Sequence, residues 1–207
     1  MVLENARRDC IATAALGSPV CVMHGVSLNA VGPDIPVEQM RSINLEMFSK
    51  ILPYAKMQGI RIAMETLGHI SRYNCCNYLG DMNEFLRSYD QICEVSQCPD
   101  AFTVCVDTGH SNSAVQYGQP TPADVIRLLG SRTSVLHLND NDGLKDQHKL
   151  PLGGIINWTD VLAALKEIGY KGVYNLELHL SHYGEELEAE YAKFAITVTR
   201  TLLKADH

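Results

Sequence analysis

At 207 residues, 46% hydrophobic and 20% charged, the chain has enough apolar material for one globular domain with a sizeable buried core. A formal net charge of −7 and the lack of any Lys/Arg run oppose binding along a phosphate backbone, so a small-molecule partner is expected and nucleic acid is not. Apolar runs such as Val20 to Met23 are too short to span a bilayer, the start is polar, and the seven scattered cysteines contain no Cys-x-x-Cys pair; no membrane span and a cytoplasmic location are expected.

In chain order, Leu3 to Leu16 has a helical pattern and Pro19 to His24 is a short apolar, strand-like run. Val37 to Gln58 places Met40, Ile43, Met47, Ile51 and Ala55 at helical spacing, with Pro53 expected to kink it and Gly59 to end it. Strand-like Ile60 to Glu65 precedes helix-like Asp81 to Val95. Phe102 to Asp107 precedes Thr121 to Leu129, where a Thr cap and Pro122 mark a helix start. Ser134 to Leu138 precedes Trp158 to Ile168, and Val173 to Leu178 precedes Glu185 to Leu203. Alternating strand and helix implies an α/β protein built of βαβ units, and strands apolar along most of their length imply a parallel sheet covered on both faces.

All five strand-like runs end in a residue able to bind a metal: His24, Glu65, Asp107, His137 and Glu177, spaced by 30 to 42 residues. A parallel barrel collects the carboxyl ends of its strands on one rim, so such residues would converge there. An ionised side chain closing an apolar strand is costly unless paired or metal-bound, which makes Glu65, Asp107 and Glu177 the sharpest part of the pattern. Two Glu, one Asp and one His form an oxygen-rich set suited to one divalent ion, Mn²⁺ or Mg²⁺ first, with Co²⁺ or Zn²⁺ compatible. His24 and His148 are further candidates for ligand or substrate contacts, and Lys145 for a phosphate or hydroxyl contact. His69, His179 and His182 are expected on the rim, and Trp158 is expected to pack rather than to stack on a sugar.

Ala63 to Thr66, Val106 to His110, His137 to Asp140, Asp146-Gln147-His148 followed by Leu152 to Trp158, and Gly169 to Gly172 leading to Glu177 together resemble the sugar phosphate isomerase/epimerase family, a xylose isomerase-like (β/α)₈ TIM barrel. The resemblance implies that Glu65, Asp107, His137 and Glu177 are metal ligands and that His110 binds substrate. It also implies that Glu65 and Glu177 form the acid/base pair that moves a proton beside the carbonyl of a sugar or sugar phosphate through an enediolate. The arginine that ketose 3-epimerases carry shortly after the ligand histidine is missing from Asn139 to Gly143. Asp146-Gln147-His148 resembles the Asp-x-His of the wider superfamily, including endonuclease IV, where it binds an additional metal.

Eight βα units usually take about 250 residues, so the five units here suggest a barrel lacking its N-terminal part. Residues 1–207 are therefore expected to form a single, N-terminally truncated barrel domain, with a homo-oligomer covering the open sheet. The alternatives are a non-catalytic remnant of the barrel and, with less support, a metal-dependent phosphodiesterase of the endonuclease IV type.

Overall fold

Helices and strands alternate as the periodicity predicts, in a computed structural model that describes residues 2–179 and 184–204. Two compact units, Met1–Cys105 and Val106–His207, divide the chain inside its fifth strand. The first holds α1 (Val2–Ala15), β1 (Val20–Met23), α2 (Leu28–Val31), α3 (Val37–Met57) and β2 (Arg61–Glu65). A two-residue antiparallel ladder of β3 (His69–Ile70) and β4 (Cys75–Cys76) follows, then α4 (Met82–Ser96) and the start of β5 (Phe102–Asp107). β1 runs parallel to β2, with Met23 opposite Met64, and β2 runs parallel to β5, with Glu65 opposite Cys105.

Local chemistry sets these elements. In α4, Met82, Phe85, Tyr89, Ile92 and Ser96 recur at three- and four-residue spacing and are buried. Asp81 caps the helix by accepting the Asn83 and Glu84 N–H groups at 2.9 and 3.2 Å, and Gln97, at φ 54°, ends it in the left-handed conformation. Phe102 opens β5 against both packing helices, its ring 5.3 Å from Phe48 of α3 and stacked 4.8 Å from Tyr89 of α4.

The second unit takes the last two residues of β5 and continues with α5 (Thr108–Ala114), α6 (Pro122–Leu129), β6 (Thr133–Leu138), α7 (Trp158–Glu167), β7 (Tyr174–Leu176) and α8 (Glu185–Lys204). β6 and β7 are parallel, with His137 opposite Asn175. The hydrogen-bonded strand order is β1-β2-β5-β6-β7. Thr121 caps α6 with Pro122 in its first turn, and Asn157 caps α7. Arg127 of α6 ties the two helices together through Asp160 at 2.6 Å and Glu167 at 2.7 Å. Among the described residues no helix is long and apolar enough to cross a membrane.

The kink expected at Pro53 does not interrupt α3, which runs through it as one helix. Phe48, Ile51, Leu52 and Ala55 bury the helix on both sides of the proline, while the Pro53 ring itself is exposed. Packing thus carries the helix past a residue that removes one backbone donor. Pro53→Ala should restore that donor and raise stability by about 1–2 kcal/mol, a helix-interior gain partly offset by greater unfolded-chain entropy. A higher urea midpoint is the expected result; a lower one would show that the packing of α3 depends on the proline ring.

Candidate active site

The last residue of β5 is a carboxylate with no exposed surface. Asp107 doubles as the cap of α5: Oδ1 accepts the His110 N–H at 2.6 Å, and Oδ2 accepts a hydrogen bond from Asn139 Nδ2 at 2.9 Å. Asn139 lies just past β6, and Thr108 fastens its backbone, with Oγ1 donating to the Asn139 carbonyl at 2.7 Å and accepting its N–H at 3.1 Å. His137, near the end of β6, holds Nδ1 3.0 Å from Oε2 of Glu177, the residue following β7. The Glu177 N–H extends the ladder to the Leu138 carbonyl at 3.2 Å.

Ligand atoms of Asp107, His137 and Glu177 lie within 4.8 Å of one another. Two carboxylates this close repel unless a cation or a proton lies between them, and burial raises the cost. Carboxylate oxygens with an imidazole nitrogen are a donor set that fits a hard divalent ion. In the first unit Glu65 is buried at the end of β2, with His24 Nε2 3.2 Å from its Oε2. Its register partner, Cys105, stands two residues before Asp107 on β5.

A second cluster joins His110, Asp146 and His148, again with candidate ligand atoms within 4.8 Å. Asp146 bridges the two imidazoles, 3.5 Å from His110 Nε2 and 3.1 Å from His148 Nε2. His148 Nδ1 lies 3.1 Å from the Glu177 carbonyl. Both ring nitrogens of His148 therefore face acceptors, an arrangement that favours the imidazolium. The hydrogen bond to Asp146 leads the effects that push the His148 pKa up to about 9. Burial alone would raise the Asp146 carboxyl, but its bonds to His110 and His148 outweigh this and hold it below the usual carboxylate range. His179, expected only on the rim, packs its ring 4.3 Å from that of His148.

The segment bearing Asp146 and His148 is organised by a residue outside the predicted site. Asp140, fully buried, accepts from the Asn141, Leu152 and Ile156 N–H groups at 2.9 to 3.2 Å and from Trp158 Nε1 at 2.8 Å. Its backbone exchanges hydrogen bonds with Lys149 in an isolated antiparallel bridge. Gly154 passes so close that a Cβ there would overlap Asp140 Oδ1 and the Asn141 carbonyl. Trp158 is buried, its indole committed to Asp140. Lys145 is exposed, with its backbone N–H on Asp142 Oδ1 at 3.1 Å. His69 lies in β3, and His182 lies outside the described residues.

With this geometry in hand, comparison with known proteins is decisive for the family: the sequence profile of the xylose isomerase-like TIM barrel family matches residues 2–198. The chain belongs to this family. Curated relatives include an uncharacterised protein of Methanocaldococcus jannaschii, 31% identical over 173 residues, covering 82% of this chain and 54% of its own. Another is the inosose isomerase of Bacillus licheniformis, 24% identical over 191 residues, covering 87% of this chain and 64% of its own. The chain thus spans between half and two thirds of the length of these relatives. Among solved structures, the IolI protein with a bound zinc atom superimposes with a TM-score of 0.77 at 18% identity, over 99% of this chain and 69% of that one. D-psicose 3-epimerase in the presence of D-fructose gives 0.72 at 16% identity, over 97% and 70%. Both show that this chain has the xylose isomerase-like fold.

The Asp146–His148 pair sets a testable pH window. A raised histidine pKa stabilises the fold below its unfolded value and loses that contribution as pH rises through about 9. The depressed Asp146 loses its contribution only as pH falls below the usual carboxylate range. In metal-free protein, NMR titration should place the His148 midpoint well above the ordinary value of about 6.5, and Asp146→Asn should return it toward that value. A wild-type midpoint at or below the ordinary value would contradict the pairing.

Proposed function

We propose that the chain carries the centre of a metal-dependent sugar or sugar-phosphate isomerase or epimerase, with Glu65, Asp107, His137 and Glu177 holding one divalent ion. The observation that carries this reading is the gathering of Asp107, His137 and Glu177 ligand atoms at strand ends. Glu65 completes the set by register, since it ends the strand paired with β5 opposite a residue two before Asp107. On donor chemistry the ion is Mn²⁺ or Mg²⁺, with Co²⁺ or Zn²⁺ accommodated. When bound, such an ion polarises the carbonyl and hydroxyl oxygens of the substrate and stabilises developing negative charge.

The chain's own residues supply the rest. One of Glu65 and Glu177 removes the proton from the carbon beside the carbonyl, and the other returns a proton to the resulting enediolate. The Glu177 side chain is about two-fifths exposed, with Oε2 buried beside His137 Nδ1. Glu65 is closed off from solvent with His24 against its Oε2, so His24 steadies the carboxylate or contacts a substrate hydroxyl. His110 faces Asp107 with one ring nitrogen and Asp146 with the other, and a substrate oxygen would have to compete with Asp146 for Nε2. His148, paired with Asp146, fixes the backbone of Glu177 and presents a cationic ring beside it. Lys145, exposed just before Asp146, would meet the distal hydroxyl or phosphate of a longer substrate.

The test is incubation with ketohexoses and inososes in heavy water under added Mn²⁺. Proton transfer predicts solvent deuterium on the product carbon, and Glu65→Gln and Glu177→Gln should each cost about 10²-fold or more in turnover. Product free of solvent deuterium would replace the mechanism with hydride transfer, and full turnover after exhaustive chelation would remove the metal from it.

A further inference from the structure

We infer that Asn139, seated against Gly109, is the positioning residue that aims the Asp107 carboxylate; this rests on the metal reading above and concerns how the ligand is held. Asn139 has no exposed surface, and its Nδ2 donates to Asp107 Oδ2 at 2.9 Å. Among the described residues its Oδ1 receives no hydrogen bond. A buried acceptor left in this way loses its solvation without compensation. Turning the amide over would not relieve the cost, because Oδ1 would then face the Asp107 carboxylate, acceptor against acceptor. The amide is therefore oriented for Asp107 at the expense of its own oxygen.

Two further features fix the side chain in that pose. The double contact of Thr108 Oγ1 with the Asn139 N–H and carbonyl clamps its backbone to the residue following Asp107. Gly109 leaves the space in which the amide lies, since a Cβ at that position would overlap Asn139 Oδ1. The Gly109 carbonyl is itself held by Asn141 Nδ2 at 2.8 Å, so the backbone there is not free to withdraw. Glycine at 109 is thus explained by the neighbouring amide, with no unusual backbone angle involved.

For Asp107 the consequence is geometric. The His110 N–H holds Oδ1 and Asn139 Nδ2 holds Oδ2, so each oxygen of the carboxylate is tied to a fixed donor. Rotation of the carboxylate would break both bonds. Removing Asn139 releases the Oδ2 side of the carboxylate while the helix cap on Oδ1 remains.

The experiment measures Mn²⁺ binding by electron paramagnetic resonance, with thermal unfolding alongside, on the wild-type chain, Asn139→Ala, Gly109→Ala and the double variant. Loss of an outer-shell partner typically weakens metal binding about 10- to 100-fold, and that is the expected loss in both single variants. Gly109→Ala should also lower the melting temperature through the overlap. In the double variant the smaller residue at 139 makes room for the new methyl, so the melting temperature should recover while Mn²⁺ affinity stays weak. A structural role alone would make affinity recover with stability. Undiminished Mn²⁺ binding by Asn139→Ala beside a wild-type chain that binds would overturn this inference and leave the metal reading standing. A wild-type chain that takes up no Mn²⁺ would overturn both.

Discussion

Asp107 places a carboxyl group where water does not reach it, and the residues around it supply polar partners in place of solvent. One oxygen takes a backbone N–H at the start of α5, the other an amide from the loop after β6, and His137 and Glu177 converge on the same point. This single requirement sets where β5 stops and α5 starts. It also gives the polar residues after β6 their place in the interior.

Asp140 makes the contrast that separates a structural acid from a chemical one. It is buried as deeply as Asp107, but four N–H donors surround its two oxygens, which saturates the carboxylate within the protein. Asp107 accepts from the His110 N–H and Asn139 Nδ2 and lies beside a second carboxylate and an imidazole. Asp140 accordingly organises the segment from Lys149 to Trp158, whereas Asp107 faces a cluster of candidate ligand atoms. The Asp146 bridge between His110 and His148 lies on that organised segment, so the frame built on Asp140 extends to the residues flanking Glu177.

The elements legible in the sequence were those with a long apolar stripe or a strand-length apolar run. α3, α4, α6 and α7 fall within a residue or two of their expected bounds because burial follows the same periodicity that reveals them. α5 escaped notice because Thr-Gly-His-Ser-Asn-Ser-Ala has no such stripe; its start is set by the Asp107 cap. The two-residue ladder of β3 and β4 is too short to leave a pattern. Among candidate site residues, Glu65, Asp107, His137 and Glu177 stand out in the sequence because a charged or imidazole side chain closing an apolar strand conflicts with its surroundings. Asn139 and Asp140 do not, since Asn-Asp-Asn-Asp reads as a solvated turn until the hydrogen-bond partners are known. Lys145, a candidate phosphate or hydroxyl contact in the sequence, is exposed just before Asp146.

The central claim is that strand ends remote in sequence hold one divalent ion between carboxylates and an imidazole. Anomalous diffraction from crystals grown with Mn²⁺ tests it most directly. The account predicts one strong peak bounded by Glu65, Asp107, His137 and Glu177. No peak there, or a peak held only by His110, Asp146 and His148, would contradict it.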